Sequence, residues 1–262
     1  ESFSKAIDTD AEYARAWQNR GETYFKMEKY KEAADDLTKY EKIEEKPDPS
    51  VITYLAESYY KVGDNVRALS YFDKIIEGGE KSGEVYQKRA KTLIETDEYA
   101  AALSDLNNAI NAGYKQPDVY MERARAYLYM GNTRAALNDL NEVLAKDPNN
   151  ADAYYNRGYL REESEDYEGA ISDYSKVVEL NPEDASAYYH IANNKVSTGN
   201  VGGAMGDIDQ AIKLNPNDAS FHKVRGNILY RLDKTGPACE SWKKALELGD
   251  KKSSYFIGQY CQ

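Results

Sequence analysis

Very few side chains in this sequence have types and spacings suited to chemistry. Cys239 and Cys261 are its two cysteines, and His190 and His222 its two histidines, among 262 residues. At those spacings they make neither a Cys/His metal cluster nor a disulfide framework. Neither H-E-x-x-H nor G-x-S-x-G occurs. The one glycine cluster, Gly199, Gly202, Gly203 and Gly206, is wrongly spaced for a dinucleotide loop and follows no strand pattern. Metal-dependent, nucleophilic and phosphate-cradling chemistry all lack their residues. The expectation is a protein that is not an enzyme and holds no cofactor or metal.

Binding is the remaining option, and charge narrows it. The chain has 34 Lys+Arg against 45 Asp+Glu, a net charge of -11. Nucleic acid and anionic membrane surfaces both require clustered cations, so neither is expected as the main partner. No apolar run reaches the length of a membrane span. The apolar fraction of 41% includes 24 Tyr but only 5 Phe, and tyrosine sits well half-buried with a wet hydroxyl. That composition suits a shallow, extended core. Because the chain begins at Glu1 and not at Met, we expect a soluble protein cut from something longer, with its compartment left open.

The elements that position these side chains are set by a period. Small residues recur as Gly21, Ala56, Ala90, Ala124, Gly158, Ala192 and Gly226, and again as Ala33, Ala68, Ala102, Ala136, Ala170, Ala204 and Ala238. Each series steps by 35 once, where Asp48 is inserted between Pro47 and Pro49, and by 34 thereafter. Apolar residues between them fall three and four apart, a helical spacing. Two helices per unit follow, antiparallel and close enough to require Gly or Ala where they meet. Asp147-Pro148, Asn181-Pro182 and Asn215-Pro216 each end a second helix.

These residues resemble the tetratricopeptide repeat, and the resemblance covers essentially the whole chain. It implies an all-α, right-handed superhelical solenoid of antiparallel helix pairs in one domain, 1–262. Full repeats are expected at 14–47, 49–82, 83–116, 117–150, 151–184, 185–218 and 219–252. Residues 1–13 read as the end of a preceding repeat, and 253–262 as a capping helix in which bulky Tyr260 stands where Gly or Ala is otherwise required. The closing segment from Ala238 to Gly249 resembles the ends of bacterial members of the family, which points to a bacterial source.

Two features depart from the family pattern. Gly78-Gly79 and Gly113-Tyr114 replace the usual proline ends. Position 7 of the repeat, usually aliphatic, is Arg20, Arg89, Arg123, Arg157 and Arg225, while position 23, level with it, is Asp36, Asp105, Asp139, Asp173 and Asp207. Structural ion pairs are expected, four within repeats. The orphans Asp207 and Arg225 are candidates to pair across a junction. Cys239 and Cys261 are level if the terminal helix packs normally; two thiols are the default and a bridge the alternative. His222 takes an aromatic packing position, and His190 faces the groove.

The family resemblance further implies that the first helices line a concave groove through positions 2, 5, 6, 9, 12 and 13. Charges there nearly cancel, leaving the chain's -11 on other surfaces. The last three repeats contribute Tyr155, Asn156, Tyr159, Tyr189, Asn193, Lys223, Asn227, Tyr230 and Arg231. Asparagine pairs with both polar groups of an extended backbone, and tyrosine supplies contact area at small entropic cost. The expected function is a non-catalytic scaffold for a protein or peptide segment. Its acidic group would lie near Lys223, Asn227 and Arg231, and its basic group near Glu162 and Glu163. Lys223-Asn227 is too isolated for the family's chaperone-tail clamp. The alternatives are a regulatory or targeting part of a larger enzyme, or a self-associating assembly factor using Gly202, Gly203 and Gly206.

Overall fold

The structure, a computed structural model, describes residues 2–261. Glu1 and Gln262, which end the first and last expected segments, lie outside the described residues. Among these there are sixteen helices and no strand. They fall into two compact units, Glu1–Asp139 and Leu140–Gln262.

In the first unit a short helix α1 (Ser2–Thr9) precedes α2 (Ala14–Lys26), α3 (Tyr30–Ile43), α4 (Pro49–Lys61) and α5 (Asn65–Glu77). Next come α6 (Gly83–Glu95), α7 (Tyr99–Asn111) and α8 (Pro117–Tyr129), and then α9 (Thr133–Lys146), whose residues fall in both units. The second unit continues with α10 (Ala151–Glu163), α11 (Tyr167–Leu180), α12 (Ala185–Ser197), α13 (Val201–Leu214), α14 (Ala219–Arg231), α15 (Thr235–Glu247) and α16 (Ser253–Tyr260). First and second helices pack as hairpins: α2 on α3, α4 on α5, α6 on α7, α10 on α11, α12 on α13 and α14 on α15.

The helix starts have local causes. Pro49 and Pro117 stand in the first turn, where the missing N–H costs nothing. Asp48, Asp64, Asn150, Asp166, Asp184, Asn200 and Asp218 each accept a backbone N–H of the first turn. The hairpin turn is equally regular. Glu28, Gly63, Asp97, Gly131, Glu165, Gly199 and Asp233, 34 or 35 residues apart, all have φ between 58° and 85°. The turn imposes that left-handed residue whether or not the sequence offers glycine, at a cost to the four acidic residues.

Every Ala of the second small series and every Gly or Ala of the first is buried. The reason is visible at Gly226, where a Cβ would lie 2.4 Å from the Trp242 ring. Trp242 is itself 1% exposed, stacked on Phe256 of α16 at 5.2 Å. Tyr260 lies against Tyr230 at 4.4 Å and covers the end of the second unit. Cys239 and Cys261 are bonded, with Cα atoms 5.7 Å apart. The default of two thiols is therefore corrected: α16 packs against α15 closely enough for a bridge.

The arginines of position 7 do more than pair within repeats. Arg20, Arg89, Arg123 and Arg157 each grip the aspartate 16 residues ahead through two nitrogens, at 2.6–2.9 Å. Each also reaches 16 residues back, to Ser4, Asp73, Asn107 and Asn141 respectively. One guanidinium thus ties its own helix to the second helices on both sides. The expected pairing of Asp207 with Arg225 does not form. Lys195 takes Asp207 at 2.7 Å, and Arg225 bonds Asp209 at 2.8 Å and Ser241 at 2.9 Å. In the second repeat Leu55 and Tyr71 replace the pair. Tyr71 donates to Glu41 at 2.5 Å and stacks on Tyr59.

Candidate partner-binding surface

All nine expected site residues stand on α10, α12 and α14, the first helices of the second unit. Tyr155 is half-buried, edge-on to the Tyr174 ring at 5.4 Å and to His190 at 5.7 Å. Burial raises its phenol pKa, and the charges of Asp184 and Glu162 add to the effect. Tyr189 packs on Phe221 at 5.2 Å and meets His190 edge-on at 5.3 Å. Asn156 and Asn193 are half-buried and Tyr159 is 45% exposed. Tyr155 and Tyr189 are thus brought together at His190.

The cationic end is less open than its residue types suggest. The Lys223 ammonium is 3.5 Å from Asp250 Oδ1, and Asp250 is also held by the Ser253 hydroxyl at 2.7 Å. The Asn227 carbonyl accepts the Trp242 indole N–H at 3.0 Å, so half of that amide secures the core. Tyr230 is shared with Trp242 and Tyr260. Arg231 is exposed and donates to the Val196 carbonyl at 3.4 Å. Lys223 and Arg231 therefore have separate partners.

Glu162, expected as an open acceptor, is a hub. Its Oε2 takes His190 Nδ1 at 2.9 Å, Asn194 Nδ2 at 3.0 Å and the Tyr174 hydroxyl at 3.3 Å. Burial alone would raise this carboxyl. The hydrogen bonds from His190 and Asn194, the His190 charge and Tyr174 together hold it below the usual glutamate value. Tyr174 belongs to α11 and was not expected in the site. The signal lay in the repeat: Tyr174 is the one tyrosine at a position otherwise Leu37, Phe72, Leu106, Leu140, Ile208 and Trp242.

The tetratricopeptide-repeat family model matches residues 14–47 and 121–185. A solved structure from Cytophaga hutchinsonii, the C-terminal part of a TPR repeat-containing protein, superposes with a TM-score of 0.76. It is 18% identical, over 90% of this chain and 97% of that one. This chain is a tetratricopeptide-repeat protein. MamA from Desulfovibrio magneticus is similar at 23% identity and a TM-score of 0.61, over 65% of this chain and 96% of that one. YrrB, described as a TPR protein with an unusual peptide-binding site, is 20% identical, with a TM-score of 0.57 over 82% and 93%. No curated protein matches the sequence.

The TPR first helices of the first unit carry a different chemistry. Lys88 bridges Glu57 at 2.6 Å and Glu84 at 2.8 Å, Gln87 donates to Asp118 at 3.1 Å, and Arg125 reaches Glu95 at 3.2 Å. Those charges are engaged by their own neighbours across α4, α6 and α8. In α10, α12 and α14 the corresponding residues are mostly uncharged, aromatic or amide. Among the described residues no three His, Cys, Asp or Glu group as a metal site, and no helix is long and apolar enough to cross a membrane.

Proposed function

We propose that this TPR chain is a non-catalytic interaction scaffold and that a partner segment in extended form lies along α10, α12 and α14. The observation that carries the reading is the contrast between the two sets of first helices. On α4, α6 and α8 the charges of Glu57, Glu84, Lys88, Glu95 and Arg125 are paired with one another, while α10, α12 and α14 present Tyr155, Tyr159, Tyr189, Asn193, Tyr230 and Arg231. A mainly neutral wall of amides and phenols offers hydrogen bonds to a peptide backbone without the desolvation cost of unpaired charge. Asp250 already balances Lys223, so an acidic group on the segment is best met by Arg231. The test is selection of binding peptides on the intact chain, followed by Tyr159→Ala, Asn193→Ala and Arg231→Ala together. We expect at least a tenfold loss of affinity, roughly 1.4 kcal/mol or more. Unchanged binding would place the ligand elsewhere.

A second reading, self-association, is favoured by one observation. A Cβ built on Gly202 or Gly206 would meet nothing within 4 Å. No internal contact requires these glycines, although each weakens α13 by about 1 kcal/mol relative to Ala. A bare strip on an exposed helix lets another helix approach. Light scattering at high concentration on the chain and on Gly202→Lys would reveal a dimer that the lysine abolishes. A monomer in both would reject it.

A further inference from the structure

Three aromatic rings and a carboxylate converge on one point between α10, α11 and α12, and the imidazole of His190 fills it. Its ring lies parallel to Tyr174 at 4.7 Å and 12°, with the Tyr155 and Tyr189 rings steeply inclined to it at 5.7 Å and 5.3 Å. Its Nδ1 is 2.9 Å from Glu162 Oε2. The face of Tyr174 beside the Glu162 carboxylate forms an environment that recognises a planar organic cation. Beside them, Asn194 is 1% exposed, and its Oδ1 is buried without a hydrogen-bond donor. All three donors to Glu162 converge on Oε2 and none uses Oε1. The cluster thus has more acceptors than its own side chains satisfy, a mismatch that a donor-rich planar cation corrects.

We propose that this box receives an arginine guanidinium from the bound segment, and that His190 is a built-in occupant competing with it for Glu162. The guanidinium stacks on Tyr174 in place of the imidazole and turns its fork to the carboxylate, a geometry that Lys cannot reproduce. His190 is 19% exposed at its side chain and held in place by one side-chain hydrogen bond and ring contacts, so rotation toward solvent releases the site. The groups around it are Glu162 and Tyr155 on α10, Tyr174 on α11, and Tyr189 and Asn194 on α12. Asp184, ahead of α12, acts on Tyr155, and α14 contributes the apolar Phe221 beside Tyr189.

The biological ligand rests on the partner-segment reading above, but the box is testable without any partner. The intact chain is titrated with acetyl-arginine amide and, as the neutral isostere, acetyl-citrulline amide, following the two histidine ring resonances by NMR. His190 should shift with a dissociation constant on the order of millimolar, His222 should not, and citrulline should have no effect. Glu162→Gln should weaken binding about tenfold, and His190→Ala, followed at the Tyr174 ring resonances, should strengthen it, since the competing donor is gone. Both variants are compared with the parent by circular dichroism. An unmoved His190 signal, equal shifts of both histidines, equal binding of citrulline, or insensitivity to His190→Ala would overturn the proposal. Arginine binding here with no peptide selected along α10, α12 and α14 would instead reject the proposed function and leave the box standing.

Discussion

Arg123 holds Asp139 through two parallel hydrogen bonds, Nε to Oδ2 at 2.8 Å and Nη2 to Oδ1 at 2.7 Å, and its remaining nitrogen reaches Asn107 at 2.7 Å. Asp139 is nearly buried, its side chain 4% exposed against 19% for Arg123. The bidentate fork and the third contact together join α7, α8 and α9. Removing one partner leaves the other charge buried and unpaired, which is far more costly than the pair is stabilising.

Arg123→Ala should therefore destabilise the fold by about 3–5 kcal/mol. Arg123→Lys should recover only part of the loss, because an ammonium cannot make the fork. Arg225→Ala is the contrast: its Asp209 partner is half exposed, 50% at the side chain, so a loss of about 1 kcal/mol is expected. Urea unfolding of the three variants measures all of this, and equal losses for Arg123→Ala and Arg225→Ala would contradict it.

Gly226→Ala should cost about 1–3 kcal/mol, because the new methyl collides with the indole of Trp242 and neither helix can retreat without opening the core. Gly202→Ala meets open space and should stabilise α13 by up to about 1 kcal/mol. Opposite signs in the thermal midpoint are the expected result.

Glu122 on α8 gives a pH dependence of defined sign. Burial raises its carboxyl pKa; Lys91 and Arg125 oppose this, Glu95 and Asp118 add to it, and the result stays above the usual glutamate value. A carboxyl that binds its proton more tightly when folded makes the fold more stable below the unfolded value of about 4.3, and that contribution is lost as the pH rises through the folded value. Glu122→Gln should raise the urea midpoint at pH 7 and leave it close to the parent's at pH 4. A lower midpoint at pH 7 would show that Arg125 and Lys91 draw more from the charge than burial removes.

Reduction of Cys239–Cys261 opens a loop of 22 residues and should cost roughly 2–4 kcal/mol in the chain-entropy account. Loss of the staple loosens α16, so Trp242 should become more accessible. Fluorescence quenching with and without a reductant reads this directly, with Cys239→Ser/Cys261→Ser as the matching variant.

The all-α class and the helix pairs were legible because close approach tolerates few residue types. Gly or Ala at Gly21, Ala33, Gly226 and Ala238 is required by the neighbouring helix and so recurs visibly. The forward half of the arginine contacts was legible for the same reason, Asp36, Asp105, Asp139 and Asp173 being one residue type. The backward half was not, since Ser4, Asp73, Asn107 and Asn141 share only the ability to accept. Asp207 does not pair across the junction because Lys195, one turn along α12 from Ile191 in the same repeat, takes it. At the candidate site, residue type indicated which side chains stand on the first helices but not which were already engaged. Lys223, Asn227 and Glu162 have partners in Asp250, Trp242 and His190 that spacing alone does not reveal.

The two repeats without a position-7 arginine, at Leu55 and Ile191, interrupt this three-helix stapling within their respective units. In a linear array, stability is close to a sum of intrinsic and nearest-neighbour terms, so a missing staple lowers the local opening energy at that place and leaves distant helices unaffected. Ile191 lies on α12, the helix that carries Tyr189, His190 and Asn193. Its amides should exchange with solvent sooner than those of α10, whose Arg157 is fully engaged. The segment that would meet a partner is thus also the one whose movement disturbs its neighbours least.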